Sequence, residues 1–297
     1  VPVRPRELGA LSAKARLPVM RRLLSVMEGQ HSGVRAGRGW EFLDLAEYRP
    51  GDDVHDIDWA ATAKTGDPIV RRFESTANLG IVLVVDTGRS MGALAPSGET
   101  KAEVALAACE AIAWLGVARG DRVGAVAGDA ERLTTSPART GKAHAETLLR
   151  RIRQEISLDS PRSDVARLLD RALVATRRRS LLVLVTDSAQ PEPGSRSERL
   201  LKRLLAQHRA IVVAVDDMAP TDLPPGTRVV DVDEGPLPDF LLTDARLADQ
   251  ARAVAEGRRA RVAALLDRPG LIPVRVASSA EVPRALLAAL ERGSRVR

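Results

Sequence analysis

Three short runs in this sequence are too apolar and too β-branched to be anything but strands buried on both faces. Ile81 to Val85 reads IVLVV and stops at Asp86. Leu181 to Val185 reads LLVLV and stops at Thr186-Asp187, and Ile211 to Val215 reads IVVAV and stops at Asp216-Asp217. A strand with one wet face alternates apolar and polar residues, whereas a continuous run needs cover on both sides, the condition of a parallel sheet between two helical layers. Apolar residues at helical spacing lie between the runs: Val104, Ala108, Ala111, Ile112 and Leu115, then Leu200, Leu204 and Leu205. The expected fold class is α/β, a central and mostly parallel sheet flanked by helices.

Arg122 to Ala127 and Arg132 to Thr135, split by Gly128-Asp129, are expected to form a further strand and its hairpin partner. Helices are expected around Lys142 to Ile156 and Asp164 to Arg177, with the turn Asp159-Ser160-Pro161 between them. A Pro-, Gly- and Asp-rich loop from Pro220 to Pro238 precedes an expected helix over Asp244 to Leu266, a strand over Ile272 to Val276 and a helix over Val282 to Leu290. The first 78 residues follow another pattern. Leu17, Met20, Leu24 and Met27 mark an amphipathic helix over residues 8–28, and Trp40, Phe42, Tyr48, Trp59 and Phe73 are five of the seven aromatic residues in the chain. The organisation expected is a helical segment over 1–30, an accessory segment over 31–78 and an α/β domain over 79–297.

Several function classes are disfavoured at once. No apolar stretch approaches the ~18 residues that span a bilayer, so membrane insertion is not expected. The single cysteine, Cys109, forms no intrachain disulfide and no Cys-rich zinc site, and no apolar h-region follows the N-terminal arginines, so a reducing cytoplasm is expected. No G-x-x-x-x-G-K-[ST] loop occurs, and Arg177-Arg178-Arg179 has no aromatic stacking platform beside it, so neither nucleotide hydrolysis nor specific nucleic-acid binding is expected. Charge is divided. Glu41 to Asp58 carries seven acidic residues against Arg49 alone, while Arg139 to Arg203 carries fifteen basic residues against eight acidic ones.

Ligands of open parallel sheets bind beyond the carboxyl ends of strands. There, Asp86-Thr87-Gly88-Arg89-Ser90-Met91 points a carboxylate and a hydroxyl to one side, and Ser163 and Thr186-Asp187 can add oxygens from neighbouring loops. Such a set can hold a hard cation such as Mg²⁺. It can equally cap helices and satisfy backbone N–H groups. In Tyr48-Arg49-Pro50-Gly51-Asp52-Asp53-Val54-His55-Asp56-Ile57-Asp58-Trp59, four Asp can meet a divalent ion or arginines, and a turn with Arg pairing is the favoured reading because the chain supplies the arginines.

Residues 29 to 91 resemble the bacterial family catalogued as domain of unknown function 58. The motifs are a Gly/Ser-rich segment, Glu41-Phe42, the Tyr48, Pro50, Gly51, Asp52, Asp53 block, Ile57-Asp58-Trp59, and a strand ending in a D-x-S-x-S-M-like loop; Arg177 to Asp187 also fits. The resemblance implies a von Willebrand factor A-like domain with a metal-ion-dependent adhesion site for Mg²⁺ or Mn²⁺, in which a partner's acidic side chain completes the shell. By position, Asp86, Ser90, Ser163 and Asp187 are the implied ligands. Gly88 replaces the first Ser of the motif, Ser163 replaces a Thr, and His55 stands where the family often carries Arg. The resemblance also implies partnership with a MoxR-type AAA+ ATPase in assembly or maturation of a protein client, and establishes no catalytic activity. The competing expectation is a Mg²⁺-dependent phosphohydrolase using Asp86 and Asp187, which would need a base or nucleophile near the metal; no His lies in the strand-end loops.

Overall fold

The computed structural model describes residues 41–48, 54–74, 79–220, 223–224, 227–238 and 244–295. The expected helix over 8–28, Trp40, and Pro50, Gly51, Asp52 and Asp53 of the acidic block lie outside these residues. Two compact units meet in sequence between Asn78 and Leu79.

In the smaller unit, β1 (Glu41–Glu47) runs antiparallel to β2 (Ile69–Glu74), with α1 (Trp59–Thr65) in the connection. Asp58 starts α1 by accepting the Ala60 and Ala61 N–H groups, both at 3.0 Å, and Gly66 ends it at φ 85°, a left-handed conformation that L side chains adopt at a cost. Ile57 and Val70 are buried and bridge to one another.

The larger unit begins with β3 (Gly80–Asp86), followed by α2 (Lys101–Ala118), β4 (Arg122–Gly128), β5 (Leu133–Arg139), α3 (Lys142–Glu155), α4 (Val165–Ala175), β6 (Ser180–Asp187), α5 (Arg196–Leu205) and β7 (Arg209–Val215). A two-residue ladder, β8 (Val230–Asp231) with β9 (Gly235–Pro236), precedes α6 (Ala245–Leu266), β10 (Leu271–Val276) and α7 (Val282–Arg295). The six-stranded sheet has the order β10-β7-β6-β3-β4-β5, parallel throughout except for β5. This is the α/β architecture expected, a central and mostly parallel sheet flanked by helices. Every residue of β3 and of β6 is buried, as continuous apolar runs require. Side-chain alternation sends Val82, Val84, Leu182, Leu184 and Val212 into one core with α4, α5 and α6. The odd-numbered Ile81, Leu83 and Val85 supply the opposite face, where α2 packs on the sheet.

Two strands of the six-stranded sheet carry a proline, Pro137 in β5 and Pro273 in β10, and these are its two edges, where a missing N–H removes no ladder bond from the interior. The hairpin partner expected to end at Thr135 runs on to Arg139. The register against β4 shifts between Val123 and Ala125, and Gly124 makes room there, since a Cβ on it would meet Ala138 N at 2.8 Å. Among the described residues no helix is long and apolar enough to cross a membrane.

Leu83 is fully buried at the centre of the sheet. Leu83→Ala is therefore expected to lower unfolding free energy by about 2 to 5 kcal/mol, while truncating the exposed Leu158 changes it by less than ~0.5 kcal/mol, as read by urea denaturation.

Candidate functional site

The strand order places a topological switch point between β3 and β6, whose connections leave in opposite directions, and it is at the carboxyl ends of such a pair that open parallel sheets form a ligand crevice. Four neighbouring parallel strands end there in buried aspartates: Asp86 after β3, Asp129 after β4, Asp187 after β6 and Asp216 after β7. Burying a carboxylate is unfavourable unless something answers its charge. Two are answered conventionally. Asp129 accepts the N–H groups of Glu131 and Arg132 and the Arg132 side chain, which closes the β4–β5 turn. Asp216 holds Arg275 Nε at 2.7 and 2.8 Å from its two oxygens.

Asp86 and Asp187, on either side of the switch point, have no such cation fork among the described residues. Asp86 Oδ1 accepts the Gly88 N–H at 2.9 Å and Oδ2 accepts the Thr186 hydroxyl at 2.9 Å. Asp187 Oδ1 accepts the Ala189 N–H at 2.8 Å, and Oδ2 accepts the Ser90 hydroxyl at 3.3 Å. Ser90 Oγ in turn lies 2.8 Å from Ser163 Oγ. In each carboxylate one oxygen folds its own loop, and the other accepts a hydroxyl, Thr186 on β6 for Asp86 and Ser90 in the β3 loop for Asp187. The four residues Asp86, Ser90, Ser163 and Asp187 come together. Thr186 belongs with them as the hydroxyl partner of Asp86.

A buried cation is also present. Lys101, the first residue of α2, is 1% exposed, bonds the Asp217 carboxylate, and acts electrostatically on Asp187. Sequence reading missed it, because Thr100-Lys101-Ala102-Glu103 is a capping box whose lysine reads as a first-turn surface residue. Its signal was the unassigned Asp217 next to a strand end. Lys101 thus answers two carboxylates beside the crevice, Asp217 by a bond and Asp187 through its charge.

Gly88 is more than a missing hydroxyl. Its backbone angles, φ −66° and ψ 161°, suit any residue, but a Cβ there would stand 2.3 Å from Ser163 Oγ and 2.5 Å from the Ser163 backbone N and Cα. The Arg89 N–H donates to Pro161 O at 2.9 Å, drawing the two loops together, and buried Met91 pins the turn that carries Ser90. Close approach of backbone to backbone therefore requires glycine at 88.

The acidic block is reached only in part. Tyr48 is half-buried and its N–H bonds Pro68 O; Asp58 caps α1 and lies 3.6 Å from Arg71 on β2, within its own unit; Trp59 is 70% exposed. Cys109 is fully buried, and burial pushes its thiol up to about 12, out of reach of thiolate chemistry at neutral pH.

The model of the family described as protein of unknown function DUF58 matches residues 44–259. The chain belongs to this family. It is 34% identical over 255 residues to a protein of Mycobacterium bovis, and to the same extent to one of Mycobacterium tuberculosis, each described as an uncharacterized protein, covering 85% of this chain and 79% of the relative. Among solved structures it is similar to an aerotolerance-related membrane protein from Bacteroides fragilis, with TM-score 0.40, 14% identity and coverage of 72% of this chain and 99% of that one. It is similar also to a von Willebrand factor type A protein from Catenulispora acidiphila, with TM-score 0.41, 13% identity and coverage of 76% and 44%. Neither likeness extends to function.

In this DUF58 chain burial dominates the electrostatics of the two switch-point aspartates. Burial pushes the Asp86 carboxyl up to about 6, against the pull of the Gly88 N–H, and the charge of Asp187 adds to the rise. Burial likewise raises Asp187, with Lys101 opposing and Asp217 reinforcing. Because the folded Asp86 binds its proton more tightly than the unfolded one, its contribution to stability is fully present below pH 3.8 and is lost as pH rises through about 6. In EDTA, the difference between wild type and Asp86→Asn is expected to change by up to about 3 kcal/mol between pH 4 and 7, in favour of the variant at pH 7. Chemical denaturation across that range measures it. Gly88→Ser is expected to cost about 1 to 3 kcal/mol by forcing the two loops apart, and the same denaturation reads it.

Proposed function

We propose that this chain is a protein-binding module whose strand-end crevice holds a Mg²⁺ or Mn²⁺ ion and presents it to an acidic group of a partner. The observation that carries the reading is the pairing at the switch point of two buried aspartates, each with one oxygen turned toward the Ser90, Ser163 and Thr186 hydroxyls rather than toward an arginine. The donor set is all oxygen, which suits a hard cation that keeps part of its water. Among the described residues no group of three or more His, Cys, Asp or Glu side chains forms a cage, so two carboxylates and hydroxyls are the protein's share. The residues that would hold the ion are Asp86, Asp187, Ser90 and Ser163, with Thr186 orienting Asp86. Bound there, the ion would supply a Lewis-acidic position for a carboxylate.

The chain's own residues prepare that position. The Gly88 and Ala189 N–H groups fix the two carboxylates, so the oxygens left over do not have to be ordered at binding. Lys101 offsets the charge of Asp187 and Asp217 from below. In keeping with the family resemblance, the module would work in the cytoplasm with a MoxR-type AAA+ ATPase, which supplies the ATP hydrolysis for assembly or maturation of a client protein.

Titration calorimetry of Mg²⁺ and Mn²⁺ into EDTA-stripped protein tests the reading. Saturable binding is expected in wild type and its loss in Asp86→Asn and Asp187→Asn, and at free ion about 100-fold above Kd the fold should gain about 2.7 kcal/mol. Binding that survives in both variants contradicts it. Mg²⁺-dependent turnover of a phosphate ester, lost in Asp86→Asn, would transfer the site to the hydrolase reading.

A further inference from the structure

Beside the crevice, the sequence neighbours of two candidate ligands converge on a carboxylate of the chain itself. Arg89 precedes Ser90, Arg162 precedes Ser163, and the bond from Arg89 N–H to Pro161 O sets both arginines on one rim. Their Nε atoms each lie 3.3 Å from Asp233 Oδ1, and Arg162 Nη2 donates to the Asp233 backbone carbonyl at 2.9 Å. Asp233 stands on the turn of the β8–β9 ladder, which Asp231 folds locally by accepting the N–H groups of Asp233 and Glu234, both at 2.8 Å.

We propose that Arg89 and Arg162 form a carboxylate-binding fork next to the strand-end site, that its intended occupant is an acidic side chain of a protein partner, and that Asp233 fills the fork in cis until such a side chain displaces it. The proposal rests on the strand-end face being a protein-binding surface, and not on its metal.

Three observations carry it. Guanidinium groups are planar donors that match a carboxylate, and two on one rim are a recognition element for that group rather than for an apolar or cationic partner. The present occupant is imperfect. Arg89 Nε is buried and has no hydrogen-bond partner among the described residues, because Asp233 reaches it at ion-pair distance without alignment. A carboxylate free to align would satisfy that N–H, which gives an exchange a direction. Finally, Asp233 is held weakly. Its ladder has two residue pairs, and the side chains of Asp233 and Arg162 are 38% and 62% exposed, so the ion pairs are largely screened. Being tethered, Asp233 competes at a high effective concentration but with poor geometry, the combination of a releasable internal competitor.

The test measures binding of a fluorescein-labelled peptide of alternating Asp and Gly by anisotropy, at near-physiological ionic strength, with Mg²⁺ and with EDTA. Asp233→Asn, which keeps the turn's backbone bonds, is expected to tighten binding about five- to tenfold. Arg89→Gln combined with Arg162→Gln is expected to abolish that gain, whereas Arg258→Gln combined with Arg261→Gln, which removes equal charge from exposed positions on α6, leaves it intact. Equal affinities of wild type and Asp233→Asn overturn the proposal, and so do equal losses from the two arginine pairs, which would mean diffuse charge attraction. An Asp233 effect that persists in EDTA and in Asp86→Asn supports the fork even where the metal reading fails. Metal-dependent binding indifferent to Asp233 overturns the fork and leaves the metal reading standing.

Discussion

Burying a carboxylate costs free energy, and this chain buries four aspartates side by side at the carboxyl edge of its parallel sheet. Each needs compensation from within a low-dielectric environment, and the way each receives it separates two of them from the other two. Asp129 and Asp216 are neutralised by arginines and backbone N–H groups, so they complete the fold and have no oxygen to offer. Asp86 and Asp187 receive one N–H each and otherwise only hydroxyls. Hydroxyls moderate a negative charge without cancelling it. Both carboxyls are accordingly raised, and both sit where the topology opens a crevice.

The loops around that crevice are built for closeness. Gly88 lets the backbone of the β3 loop press against Ser163, the Arg89–Pro161 bond ties the contact, and Met91 anchors the turn beneath it. What this draws together is one hydroxyl from each loop, Ser90 and Ser163, within 2.8 Å of each other. The hydroxyl absent at position 88 is thus exchanged for a tighter rim. Lys101, sealed beneath by Asp217, keeps the basin from being more negative still.

Much of this was legible in the sequence. Strands buried on both faces admit no polar residue until they end, so IVLVV-Asp, LLVLV-Thr-Asp and IVVAV-Asp-Asp announced both the sheet and the edge where charge collects. Asp86, Ser90, Ser163 and Asp187 could be named for that reason together with the family motif. What escaped depended on contacts between distant parts of the chain. Nothing local tells that residue 88 lies against residue 163, that Lys101 is buried by an aspartate 116 positions later, or that Asp233 in a Pro/Gly-rich loop returns to Arg89 and Arg162. The reach of β5 past Pro137 escaped likewise, because a proline is excluded from a strand only when that strand is interior, and edge position is a property of the whole sheet.

The claim on which the rest turns is that Asp86 and Asp187 share a cation. Crystals grown with Mn²⁺ and recorded at its absorption edge would test that claim most directly. The account predicts an anomalous peak in the crevice, within bonding distance of the Asp86 or Asp187 carboxylate and beside Ser90 and Ser163. Its absence there at saturating Mn²⁺, or a peak confined to the acidic stretch between Glu41 and Asp58, would contradict the account.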